Sequence, residues 1–320
     1  PNFHTENIQK VASTASVADY QYNAMEGRAD LRESIIANFP EVKRFLIAER
    51  NLTIDNVLIS SGAVMGIGSC IEVFCENPDD EVLLLEPIYP FHLGKAVLKN
   101  LTVKTVRLEY NGETRSFNIN YDALRKAITK KTKVLILCNP NNPACKVFTK
   151  EEYQKISKII KDFPDLKVVE DQAYFLYHDE GHQPFPYALV NPQDFDRTIT
   201  VYSGGKMYNI IGTRLGIMLG SKDLLKKIAS VFPLETQITS VFEQMVIREN
   251  LASANEPYSN KANFYEATCK DVISRAKKVE ERVFNHGIKC AIVEGSYYVT
   301  FDIEILRGRI DKKYWKKLDE

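Results

Sequence analysis

Residues 203–216, SGGKMYNIIGTRLG, set Lys206 directly behind two glycines and Arg214 eight residues further on, near Gly212. Lysine and arginine are costly to bury, so two cations beside glycines suggest a site shaped around an anion. Alone the stretch also has a plain reading, because glycines serve turns and single cations are ordinarily solvated. Four other segments carry groups of matching interest. Tyr89 follows EVLLLEP, Asn142 lies in NPNNP after KVLILC, Asp171 and Tyr174 lie in KVVEDQAY, and GAVMGIG follows VLISS. In the last of these, small residues open a helix whose free amides could hold a phosphate, although glycines for helix packing explain it equally well. Each of the others has its own structural reading: a turn for NPNNP, a cap or ion pair for Asp171, core packing for Tyr89.

The elements that carry these groups argue for a site. Short β-branched runs (VLISS at 57, EVLLLEPIY at 81, TVKTVRLEY at 102, KVLILCNP at 133, KVVEDQAY at 167, TITVYSG at 198) alternate mostly with helix-like segments. Runs without polar alternation belong to strands buried on both faces, which means a mostly parallel sheet wrapped by helices. Helices are expected at Ala63 to Cys75, Tyr121 to Ile128 and Thr149 to Phe163, the last opened by the capping-box sequence TKEE. GIMLGS at 216–221 reads as an edge strand, Glu235 to Leu251 as helical, and EGSYYVTFDIEI as a strand. Between them Ala262, Tyr265, Cys269, Val272, Ala276, Val279 and Val283 mark one long amphipathic helix. In open α/β sheets ligands bind beyond the carboxyl ends of strands, and five such ends are followed by the groups above.

Composition narrows the partner. The 320 residues are 44% hydrophobic and 26% charged, enough for a large core and a smaller one. Forty-two basic residues balance 42 acidic ones, so nothing points to nucleic acid or an anionic membrane. The longest uncharged run, Asn56 to Ile71, is too short and too glycine-rich to span a bilayer. Six cysteines without CxxC spacing fit a reducing compartment, cytoplasm or mitochondrial matrix. The histidines show no metal spacing, so no metal site is expected; His92 reads as a packed histidine and Cys145 as an inert thiol.

Taken in order, the motifs resemble those of the class I/II aminotransferases, pyridoxal 5'-phosphate (PLP) enzymes of fold type I. YNAMEGRADLR at 22–32 matches the family's YxxxxGxxxLR, SGAVMGI its GAxxAI-like turn, EPIY its PxY, NPNNP its NPxNP, DQAY its DxxY, and SGGKMYNIIGTRLG its SxxK followed by GxRxG. The resemblance implies a seven-stranded, mostly parallel large domain over residues 15–230. A smaller α+β domain, built from residues 1–14 and 231–320, would accompany it. It also implies roles. Lys206 forms the Schiff base with the cofactor aldehyde and moves the substrate Cα proton. Asp171 keeps the pyridine nitrogen protonated, Asn142 and Tyr174 bond the ring 3-oxygen, and Tyr89 stacks on the ring. Gly62, Ala63, Val64, Ser203 and Arg214 hold the phosphate, and Tyr22 reaches the phosphate of the neighbouring subunit of a homodimer. The expected activity is amino-group transfer between an amino acid and a 2-oxo acid in a ping-pong cycle. A structural subunit without turnover, and a lyase or synthase on the same fold, are the alternatives.

Three departures accompany the resemblance. Ala144 and Cys145 stand where the family usually has Thr-Gly. The chain opens at PNF, read as the tail of a GxPxF element. It stops at DKKYWKKLDE, ahead of the segment expected to carry the arginine that grips the substrate carboxylate; Arg307 and Arg309 do not match that motif.

Overall fold

The computed structural model of the chain describes residues 3–48 and 50–306. Nine strands run in chain order among them: β1 (Val57–Ser60), β2 (Glu81–Glu86), β3 (Thr102–Arg107), β4 (Glu109–Asn111), β5 (Ser116–Asn118), β6 (Thr132–Cys138), β7 (Lys167–Asp171), β8 (Thr198–Ser203) and β9 (Gly216–Gly220). Seven form one sheet in the order β1-β9-β8-β7-β6-β2-β3, while β4 and β5 make a separate hairpin. Only β9 runs against its sheet neighbours, β8 and β1.

Helices cover both faces because the strands are apolar on both. Along β6, Val134 and Ile136 enter a core shared with Ile67, Ile71 and Leu225, whereas Leu135 and Leu137 enter another shared with Tyr153, Ile156 and Ile160. The Lys150–Ile160 helix starts where its sequence dictates. Glu152 N donates to Thr149 Oγ1 at 3.2 Å, and Thr149 N donates to Glu152 Oε2 at 2.8 Å. Each fully buried Ile or Leu on such a helix contributes about 1.5–3 kcal/mol. A third core joins Leu31 and Ile35 to Tyr202 and Ile217 of the sheet, and to Ile247, Leu251, Phe264 and Ile273 from the C-terminal helices.

Several expectations need correction. GIMLGS is not an edge strand: β9 lies between β8 and β1 with all five residues buried, and the edges are β1 and β3. TVKTVRLEY divides at Leu108, after which the chain leaves the sheet for the hairpin. The helix expected from Glu235 starts only at Val241, behind Ser240, since Gln237 has a left-handed backbone (φ 61°). EGSYYVTFDIEI forms no strand. Its amides bond loops instead, Gly295 N to Cys145 O and Ser296 N to Tyr177 O, with isolated bridges at Gly295 and Phe301. The long amphipathic helix is present as Phe264–Asn285.

Beside Asp171, but on the opposite face of β7, Glu170 is fully buried. Its Oε2 accepts from Tyr187 N at 2.9 Å and Thr200 Oγ1 at 3.4 Å. Burial pushes its carboxyl from the ordinary 4.5 up to about 7. A raised carboxyl favours the folded state below its unfolded value, and that contribution is lost as pH rises through the folded one. Wild type should therefore lose on the order of 3 kcal/mol between about pH 4.5 and 8 that Glu170→Gln does not lose. Parallel thermal melts of the two proteins across that range measure the difference.

Candidate active site

All sheet strands except β9 point the same way, so the segments after β1, β2, β6, β7 and β8 emerge at one edge. Lys206 sits in a single helical turn, Gly204–Met207, behind Ser203, whose Oγ accepts from Lys206 N at 3.4 Å. Its Nζ donates to the Tyr174 hydroxyl at 2.8 Å and lies 5.7 Å from the centre of the Tyr89 ring. Burial lowers the lysine pKa; Asp171 and Cys138 pull it back, Arg214 lowers it further, and the balance falls below the ordinary lysine value. A lysine so placed gives up its proton more readily, as nucleophile and base chemistry require.

Asn142 follows the Asn139–Pro140 cis bond and precedes a second cis bond to Pro143. Its Nδ2 donates to the Tyr174 hydroxyl at 3.2 Å. Behind them Asp171 is buried, accepting from Ala173 N at 2.9 Å through Oδ1 and pairing through Oδ2 with His92 Nε2 at 2.7 Å. An ionised carboxylate can only accept, so His92 donates. Burial pushes the Asp171 carboxyl up, but His92, Lys206 and the Ala173 amide outweigh burial and hold it below the ordinary range. His92 is thus more than packing. Its position three residues after Tyr89 was the available signal, but nothing in the sequence shows that the turn at 90–92 aims the ring at β7. His92, Cys138 and Asp171 bring ligand-type atoms within 4.8 Å of one another. The short His92–Asp171 bond, and a Cys138 thiol that burial holds protonated, make this a hydrogen-bonded pair beside a neutral thiol.

A second focus lies at the β1 and β9 ends, where Ser60 pairs with Gly216. Gly62 has φ 89° and precedes the Ala63–Phe74 helix. A β-carbon there would stand 2.6 Å from Arg214 Nη2, so only glycine admits the guanidinium beside the free amides of Ala63 and Val64. Arg214, itself left-handed at φ 48°, makes one long bond to Ile211 O at 3.5 Å and, among the described residues, no ion pair. Tyr22 is 82% exposed and lies away from this cluster's hydrogen bonds. Cys145 takes φ 61° with a buried sulfur, which burial pushes up to about 11, so the thiol stays neutral. Arg307 and Arg309 lie outside the described residues. Tyr298, not anticipated at all, places its hydroxyl 3.0 Å from that of Tyr174 and 3.3 Å from Asn142 Nδ2.

Residues 4–320 match the family described as aminotransferase class I and II. The chain belongs to the class I and II aminotransferases. It is 26% identical over 327 residues to kynurenine–oxoglutarate transaminase of Dictyostelium discoideum, covering 94% of this chain and 70% of the relative. It is 27% identical to human kynurenine–oxoglutarate transaminase 1, covering 98% of this chain and 76% of the relative. The crystal structure of Bna3p from Saccharomyces cerevisiae superposes with a TM-score of 0.86 at 25% identity, covering 98% of this chain and 72% of that one. Among the described residues no helix is long and apolar enough to cross a membrane.

The chain is therefore a PLP-dependent aminotransferase, moving an amino group between an amino acid and a 2-oxo acid. Its residues fit that cofactor on their own geometry. The absence of a β-carbon at Gly62 admits the Arg214 guanidinium, which has no ion-pair partner among the described residues. At the other end a buried carboxylate retains lone pairs for a ring nitrogen.

Proposed function

We propose that the site converging on Lys206 performs the transfer on amino acids with an aromatic side chain, kynurenine among them, with a 2-oxo acid as acceptor. One observation carries the site reading: the Lys206 amine is bonded to Tyr174 on the β7 side while the Asp171–His92 pair lies behind. Bound PLP supplies an electron sink that stabilises charge at the substrate Cα. The chain's own residues do the rest. Lys206 holds the cofactor and moves the Cα proton, Asp171 keeps positive charge at the ring nitrogen, and Asn142 and Tyr174 donate to the ring 3-oxygen. Tyr89 stacks on the ring, and Gly62, Ala63, Val64, Ser203 and Arg214 bind the phosphate.

Aromatic selectivity has two supports. Two of the relatives above are kynurenine–oxoglutarate transaminases. In this chain Tyr297 and Tyr298 pack edge-to-face on Tyr174, with Tyr297 37% exposed and its ring centre 5.0 Å from that of Tyr174. Edge-to-face contacts contribute about 0.5–1.5 kcal/mol each beyond burial. The exposed Tyr22 supports a homodimer in which it reaches the partner's phosphate site. Six free thiols support a reducing compartment, cytosol or mitochondrial matrix.

The experiment loads the protein with PLP and follows conversion of the bound cofactor by absorbance as single amino acids are added. Kynurenine and phenylalanine should convert it about tenfold faster than aspartate at equal concentration, the margin of one or two aromatic contacts. Aspartate matching them would overturn the substrate class. Sedimentation of the same sample should give a dimer.

A further inference from the structure

The segment Glu294–Thr300 is tied at both ends to the loop that carries Asn142. Glu294 accepts from Val147 N at 2.9 Å and from the Ser116 hydroxyl. Gly295 N donates to Cys145 O at 3.0 Å, Cys145 Sγ donates to Tyr298 O at 3.0 Å, and the Thr300 hydroxyl donates to Pro143 O. Ser296, at φ 63°, turns the segment between these anchors. The result is a closed triangle. Asn142 Nδ2 lies within bonding distance of both phenol oxygens, and the phenols bond each other. Lys206 Nζ donates into it through Tyr174. A phenol has one proton to give, and an oxygen held by two partners cannot turn freely.

We propose that Tyr298 is a positioning residue for the transfer: its hydroxyl fixes the direction of the Tyr174 and Asn142 donors, and through them sets how firmly the 3-oxygen of PLP is held. The inference rests on the proposed roles of Tyr174 and Asn142. It adds a group from the C-terminal segment that neither the motifs nor the relatives assign. The titratable groups acting on the triangle are Lys206, bonded to Tyr174, Tyr297 beside Tyr174, and Tyr89 beside Tyr298; Asp171, Cys138 and Arg214 act on Lys206 in turn. Burial, followed by the Tyr298 bond, holds the Tyr174 phenol well above its ordinary value, so Tyr174 stays protonated and able to donate. Well-aimed donors stabilise an anionic 3-oxygen. With the aim loosened, the absorbance change of the loaded protein should occur at higher pH.

Tyr298→Phe removes one oxygen and keeps the ring. PLP should bind roughly two- to tenfold more weakly, the loss of one hydrogen bond between uncharged groups. The midpoint of the pH-dependent visible absorbance should rise, and the thermal midpoint of the protein without added PLP should stay within experimental error of wild type. Repeating the substitution in a Tyr174→Phe background supplies the second variant, and there the effect on affinity should shrink to less than half. Unchanged affinity and midpoint, tighter binding, an equal effect in both backgrounds, or a loss matched by lower thermal stability would each overturn the proposal. Failure of the site reading itself is distinguishable: the cofactor would then attach to a lysine other than Lys206 in wild type.

Discussion

Lys206→Ala should abolish turnover. Proton transfer by a positioned base alone contributes about 10²–10⁴-fold, and in the proposed site this residue is also the covalent anchor, so kcat should fall by at least about 10³-fold. Folding should survive. The amine is a half-buried cation whose described partners are one phenol hydroxyl and two ring faces, Tyr89 and Tyr174, and burial already disfavours its charge. Removing it relieves that cost, and the thermal midpoint should hold or rise slightly. The decisive measurement is chemical. Borohydride reduction of PLP-loaded wild type, followed by peptide mass analysis, should place the cofactor on the peptide containing Lys206. A label on any other lysine would reassign the site, whatever the activity of the variant.

Asp171→Asn should cost nearly as much, by a different route. It keeps the shape and deletes the charge, so His92 donates to a neutral carbonyl and the ring nitrogen loses its counter-charge. Losses of preorganised electrostatic stabilisation run to about 10²–10³-fold in kcat. The expected signature is a fall in kcat with little change in KM, since Asp171 is buried behind Tyr174 and Lys206. The pH behaviour follows from the sign of the shift. A carboxyl held below its ordinary range stabilises the fold above its unfolded value, and that contribution is lost only as pH falls through the lower folded value. Wild-type activity governed by Asp171 should therefore persist down to the acid edge of the carboxylate range. A decline beginning near neutral pH and absent in Asp171→Asn would contradict this account.

Much of the fold was legible because the sheet is buried on both sides. Unbroken apolar runs in β2 and β6, and the β-branched residues of β7 and β8, can be read without knowing their neighbours, and the Thr149–Glu152 box announces its helix locally. What stayed hidden depends on partners distant in sequence. β9 looks like an edge strand because it is short and glycine-rich, yet those glycines let it run against β8 and β1: at Gly216 a β-carbon would press on Ser60 Oγ, and at Gly220 on Ile199. The segment 294–305 alternates as a strand does, but its amides are claimed by Cys145 O and Tyr177 O before any neighbouring strand can pair with it. The same limit applied to the site. Lys206, Asp171 and Arg214 stood out by type and spacing, whereas His92 and Tyr298 matter through contacts with residues 79 and 124 positions away.

The pairing of β1 with β9 also bears on how the molecule assembles. Ser60 meets Gly216 only after most of the sheet has been synthesised, and closing so long a loop is an entropically slow, late event for a growing chain. Until then Arg214 has no Gly62 to lie against, and the proposed phosphate cradle is not formed. Cofactor capture at that place would therefore report that the first and last strands of the sheet in chain order have paired. A ligand that binds only the closed form pulls that step toward completion, by about 2.7 kcal/mol at a hundredfold excess over its dissociation constant. With the cofactor bound at Gly62 and Arg214 as proposed, PLP acts on this chain as a ligand that stabilises the closed sheet as well as a reagent.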